Sequence, residues 1–116
     1  LGGIYDKECL DNFRHFSYCY MHGHSVGGTN PALLEAMAAK SLILAHNNKF
    51  NKAVINNDAF YFNTADEITK ILQRKNLLFL KSKFIDNNCK KIDQLYNWSI
   101  IVDKYEKYFL EILKNK

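Results

Sequence analysis

The segment His22–Glu35 (HGHSVGGTNPALLE) concentrates the chemistry that this 116-residue chain can do. Two histidines enter a turn that holds adjacent glycines. An asparagine and a proline then open a helix, and a carboxylate follows one turn in. Gly27 and Gly28 lack a Cβ, so the backbone there can take positive φ and approach a ligand closely. Asn30 can cap the helix through its side-chain oxygen, and Pro31 suits the first helical position. The N–H groups of Ala32 and Leu33 are then expected to face outward at the positive end of the helix dipole, where they could bind phosphate oxygens. Glu35 leans toward the helix N-terminus and can accept hydrogen bonds from sugar hydroxyls. Phosphate at the helix end with hydroxyls beside it describes a nucleotide or a sugar nucleotide. The bland counterpart is a plain strand-to-helix turn with Glu35 solvated.

Other chemistries find less support. The segment has no Gly-Lys-Ser/Thr phosphate loop and no dinucleotide fingerprint. A Gly-x-Ser-x-Gly elbow is also missing, which leaves a serine hydrolase unsupported. His22 and His24, with His15 and Cys19 nearby, make a zinc site conceivable. No second Cys/His pair has zinc-finger spacing, so no metal is expected. A histidine in the turn serves better as a donor to an anion or sugar, or as a structural contact. Asp6, Glu8 and Asp11 read as a solvated helix surface.

The elements that must position this turn alternate between strand and helix. Leu1–Tyr5 reads as a strand end or its exit loop, and Lys7–His15 as a short helix capped by Asp6. Phe16–Met21 is aromatic and β-prone, the pattern of a buried strand. The turn His22–Asn30 leads to a helix over Pro31–Ala39, and Ser41–Ala45 is a second buried strand ending in the polar cluster His46–Lys49. Asn51–Asn56 suits a short helix, Ala59–Phe62 a third strand, and Asp66–Arg74 a helix capped near Thr64 or Asp66. From Asn76 onward the pattern is helical only. In the last helix Trp98, Ile101, Val102, Tyr105, Phe109 and Ile112 share one stripe, with Lys104, Lys107, Glu111 and Lys114 away from it. The expected fold is α/β: a short parallel sheet flanked by helices with a helical C-terminus, a partial Rossmann-like domain over residues 1–116. The turn follows a strand and so lies on the sheet edge where such folds bind ligands. Unpaired outer strands and the uncovered stripe predict self-association.

Composition bounds the rest. The chain is 47% hydrophobic and 24% charged, ordinary for one globular domain. Three scattered cysteines suit a reducing compartment better than a disulfide framework. Residues 74–116 carry ten Lys/Arg against five Asp/Glu, which reads first as a solvated helical surface and second as a weak attraction to an anionic membrane face. No nucleic-acid motif accompanies that charge. Beginning at Leu1, the chain reads as an excised piece of something longer.

The stretch HGHSVGGTNPALLEA, from His22 to Ala36, resembles the donor-binding motif of retaining glycosyltransferases of family 4, which have the GT-B fold of two Rossmann-like domains. It is most similar to the rhamnosyltransferase-like enzymes of bacterial capsule and cell-surface polysaccharide assembly, which share the pattern HGHxVGGTNPxLLEA. LGGIYD at Leu1–Asp6 resembles the family's strand exit, and NNKFN at Asn47–Asn51 the loop after the next strand. Tyr96–Leu113 is similar to the closing helix, placed here at residues 97–114.

The resemblance implies the C-terminal half of a donor-binding domain whose acceptor-binding partner domain lies outside this chain. It implies a metal-independent transferase, needing no cofactor beyond its nucleoside-diphosphate sugar, that acts on a glycan or lipid-linked glycan in the cytoplasm or at the inner membrane face. The isolated piece would be inactive. By the same resemblance Glu35 would bind the ribose hydroxyls, and Gly27, Gly28, Thr29, Asn30 and the helix start would hold the diphosphate and donor sugar. The family's first motif glutamate falls at Gly27, so its sugar contacts pass by implication to His24, Thr29 or Asn30.

Overall fold

The computed structural model describes residues 2–116 and has an α/β architecture. Its elements run α1 (Lys7–Phe16), β1 (Tyr20–His22), α2 (Pro31–Ala38), β2 (Ile43–His46), α3 (Lys49–Ile55), β3 (Phe60–Phe62), α4 (Ala65–Leu72), α5 (Leu77–Leu95) and α6 (Trp98–Lys114). The three strands form one parallel sheet in the order β1-β2-β3. Tyr20 and His22 lie opposite Ile43 and Ala45, while Leu44 and His46 lie opposite Phe60 and Phe62. A short parallel sheet flanked by helices is the expected arrangement, that of a partial Rossmann-like fold.

Short polar side chains start most of the helices. Asp6 accepts from the N–H groups of Glu8 and Cys9, Asn48 from Asn51, Thr64 from Glu67 and Asn97 from Ile100. Each satisfies a backbone donor that the first helical turn leaves over.

Side chains alternate across the sheet and build two cores. On one face Ile43 and Ala45 meet Leu33, Ala36 and Met37 of α2 with Val54 and Ile55 of α3. On the other, Leu42, Leu44, Phe60 and Phe62 meet Ile71 of α4 and Leu77 of α5. Helix α5 belongs to both: Leu80 and Phe84 pack on the second core, while Ile92 and Tyr96 close the first. A polar clamp fixes it to the α3–β3 connection. Asn87 Nδ2 donates to Asp58 Oδ1 at 2.8 Å, Asn88 Nδ2 donates to the Asp58 carbonyl at 2.9 Å, and the Lys91 ammonium bonds Asp58 Oδ2 and the Ile55 carbonyl.

One expectation is corrected here. Phe16–Met21 is not a buried strand. The helix launched by Asp6 runs on through Phe16, which is 81% exposed, and the strand is confined to Tyr20–His22. Residues 2–6 are irregular, which fits the exit-loop alternative for Leu1–Tyr5; Leu1 lies outside the described residues. The later elements fall where the pattern puts them, with α3 starting at Lys49 and β3 at Phe60. Among the described residues no helix is long and apolar enough to cross a membrane.

Candidate functional site

The candidate site sits where β1 ends. In a parallel sheet the loops after the strands share one edge, so the turn after His22 and the loop after His46 emerge side by side. The second loop holds the first. Asn48 Nδ2 and Asn51 Nδ2 donate to the His24 carbonyl at 3.0 and 3.1 Å, and Asn51 Nδ2 also reaches the His46 carbonyl at 3.0 Å. Asn51 is buried and spends its amide on tying two strand exits together. Neither asparagine is singled out by sequence motif alone. The Asn48-x-x-Asn51 spacing marks the cap of α3, while the contacts to His24 carry no local signal.

Beyond His24 the turn is open. Residues 23–29 are exposed, and the N–H groups of Gly27, Gly28 and Thr29 make no hydrogen bond among the described residues. Gly27 takes φ +111°, a conformation that L side chains rarely adopt. Gly28 does not: the expectation of positive φ at both glycines holds for Gly27 alone. A Cβ at either position would meet nothing within 4 Å, so both glycines leave open room in front of the turn.

Asn30 caps α2 as expected, its side-chain oxygen accepting from the Ala32 N–H at 2.9 Å, and Pro31 occupies the first turn. That cap overturns a further expectation. The Ala32 N–H is spent on Asn30 Oδ1, and the Leu33 N–H donates to the Asn30 carbonyl at 3.1 Å. Leu33 is itself buried in the first core. The amides at 32 and 33 are therefore satisfied internally, and the donors left for an anion are those of the turn itself.

Glu35 is also placed differently from the expectation. Its side chain, 46% exposed, turns to α1, where Arg14 Nη1 lies 2.8 Å from Glu35 Oε2. Arg14, only 10% exposed, bonds Asp11 as well at 3.3 Å, and its carbonyl accepts from the Ser17 and Ser41 hydroxyls. The carboxylate thus borders a cleft of about 440 Å³ between α1 and α2, lined by Lys7, Asp11, Asn12, His15 and Ala38 among others. One carboxylate oxygen meets Arg14; the other has no hydrogen-bond partner among the described residues and can accept from a hydroxyl. Arg14 is a residue that the sequence motif does not flag, being remote from it in the chain.

Directly beneath the turn lies His22, 1% exposed, with neither ring nitrogen hydrogen-bonded. Its ring stacks between His24 at 4.8 Å and Tyr20 at 6.1 Å. Burial, and next the neighbouring His24, hold its pKa below the ordinary histidine value. Buried polar atoms without partners are uncommon and mark sites of function or strain. The histidines do not converge with Cys19. The His15 ring bonds the Ala39 carbonyl, Cys19 packs against the second core, and burial pushes the Cys19 thiol pKa up. Among the described residues no group of three His, Cys, Asp or Glu is placed to hold a metal ion.

The fold and site together define a three-stranded parallel α/β unit with an open glycine turn at the C-terminal ends of its strands. No family model matches the chain, and no curated protein or solved structure matches it.

Proposed function

We propose that the chain is the nucleotide-binding part of a retaining, sugar-nucleotide-dependent glycosyltransferase acting on a surface glycan. The observation that carries this reading is the turn at the end of β1. It presents three unbonded N–H groups at Gly27, Gly28 and Thr29, on the edge where parallel sheets take ligands. Those donors suit a diphosphate and would stabilise the charge that develops on it as the sugar leaves. On this reading His24 and Thr29 would meet the sugar, and Glu35, paired with Arg14, would offer its other carboxylate oxygen to the ribose. The acceptor would be held by a further domain, and the reaction would take place at the cytoplasmic face of the membrane.

Calorimetric titration with UDP, GDP and dTDP tests the reading, with inorganic pyrophosphate as the comparison. At least one nucleoside diphosphate is expected to bind more tightly than pyrophosphate. Glu35→Ala should weaken that nucleotide by about tenfold, the worth of a hydrogen bond to a charged group, and leave pyrophosphate unchanged. A nucleotide affinity indifferent to Glu35→Ala would favour a non-catalytic nucleotide-binding or interaction module. No binding of any nucleoside diphosphate at millimolar concentration would overturn the proposal.

A further inference from the structure

Helix α6 stands apart from both cores. Its half-buried residues, Ile100 and Ile101, lie at its start near α5, and everything from Val102 to Lys114 is exposed. The molecule measures 57 × 30 × 27 Å, and α6 accounts for about 25 Å of helix. Its exposed residues are not random. At 100° per residue, Trp98, Ile101, Val102, Tyr105, Phe109 and Ile112 fall within an arc of about 100°. Trp98 is 80% exposed, and Tyr105 and Phe109, which stack on each other, are more than half exposed. The stripe exposes roughly 700 Å² of mostly apolar side chain, close to what each partner contributes to a standard protein interface.

The charges beside the stripe decide what would cover it. A helix that lies on an anionic membrane carries an excess of Lys and Arg on its polar face. Here Lys104, Lys107 and Lys114 are balanced by Asp103, Glu106 and Glu111, and among the described residues none of the six is ion-paired within the chain. A neutral helix of interspersed signs suits another helix of the same kind.

We infer that α6 docks antiparallel on α6 of a second copy of this chain, forming a two-fold dimer centred between Glu106 and Lys107. Read as heptads, Trp98, Tyr105 and Ile112 take one seam position and Ile101 and Tyr108 the other. Antiparallel pairing sets Ile101 against the partner's Ile112 and Tyr105 against the partner's Tyr108, with Val102 beside the partner's Phe109. The same register brings Lys104 to the partner's Glu111, and the two-fold repeats that pair on the opposite end. One register therefore pairs the apolar seam from Ile101 to Ile112 together with the flanking charges, and leaves Trp98 beyond it, opposite the partner's Asn115. This inference uses a surface remote from the glycine turn and does not rest on the transferase reading.

Sedimentation equilibrium of the 116-residue chain tests it, with far-UV circular dichroism confirming that each variant stays folded. The parent is expected to dimerise within the micromolar range. Val102→Glu with Phe109→Glu should leave monomer only. Lys104→Glu alone should weaken association about tenfold, and combining it with Glu111→Lys should restore the parent value within about twofold. A parent that is monomeric at all accessible concentrations would overturn the inference and leave the stripe to another domain. Dimers indifferent to the Val102/Phe109 change would place the interface elsewhere, and failure of the double charge reversal to restore binding would overturn the antiparallel register. Stripe-dependent binding to phosphatidylglycerol vesicles by a chain that does not dimerise would replace the second copy with a lipid surface.

Discussion

The Asn51 side-chain amide donates to the His24 carbonyl at 3.1 Å, so a helix that follows β2 holds the turn that follows β1. Asn51→Ala removes this bond and the one to the His46 carbonyl, leaving the His24 carbonyl to Asn48 Nδ2 alone. The expected loss is about 1–3 kcal/mol in urea unfolding. Amide exchange in residues 23–29 should quicken beyond what the global change accounts for, and unchanged exchange there would show that the turn does not depend on this bond.

The two glycines of the turn should respond differently to the same substitution. Gly27→Ala forces a side chain onto φ +111° and is expected to cost about 1–3 kcal/mol, or to rearrange the turn. Gly28→Ala adds a methyl group that meets nothing within 4 Å at a backbone angle open to it, so stability should stay within about 0.5 kcal/mol of the parent. Thermal melts of the two variants give the comparison, and equal losses would refute it.

His22 should make stability depend on pH. Its folded-state pKa lies below the ordinary 6.5, so the unfolded chain takes up a proton first as pH falls. This contribution is fully present above about pH 6.5, declines below it and levels off once the folded form is protonated too. His22→Phe keeps a ring in the stack and removes both orphaned nitrogens. Between about pH 7 and pH 5 its melting temperature should fall less than that of the parent. Parallel profiles would assign the pH dependence to other groups.

Lys91 is almost buried and bonds Asp58, Asn88 and the Ile55 carbonyl together. Lys91→Met keeps the stem and leaves the Asp58 carboxylate without its cation, with Asn87 still donating to Oδ1, at an expected cost of about 2–4 kcal/mol in denaturant unfolding. Adding Asp58→Asn should recover part of that loss, because the stranded charge is gone. A double variant no better than the single one would locate the cost in the packing of the lysine stem.

Much of this architecture is legible in the chain because it is local. Asp6, Asn30, Thr64 and Asn97 need only the next three residues to act as caps, and all four do so. The buried strands at Ile43–His46 and Phe60–Phe62 follow from short apolar runs bounded by polar clusters. Phe16 misleads because an aromatic run fits a strand as well as a helix end, and the cap at Asp6 decides between them only once helix length is known. The site is less legible for a related reason. Asn30, Pro31 and Gly27 can be assigned from their own chemistry, but Arg14 meeting Glu35 and Asn51 meeting His24 are tertiary contacts with no local signature. The cap itself explains the amides: an asparagine good enough to start α2 leaves the Ala32 N–H nothing to offer a ligand.

Helix α5 carries a consequence for how the molecule comes apart. Leu77 and Phe84 on one side of the sheet and Ile92 on the other are turns of a single rod, locked at mid-length by Asn88 and Lys91. Melting either layer strips that rod of half its support and exposes the remaining layer to water. The two sides of the sheet should therefore lose structure in one concerted step, and a ligand gripping the glycine turn would raise the stability of the distant side as much as its own.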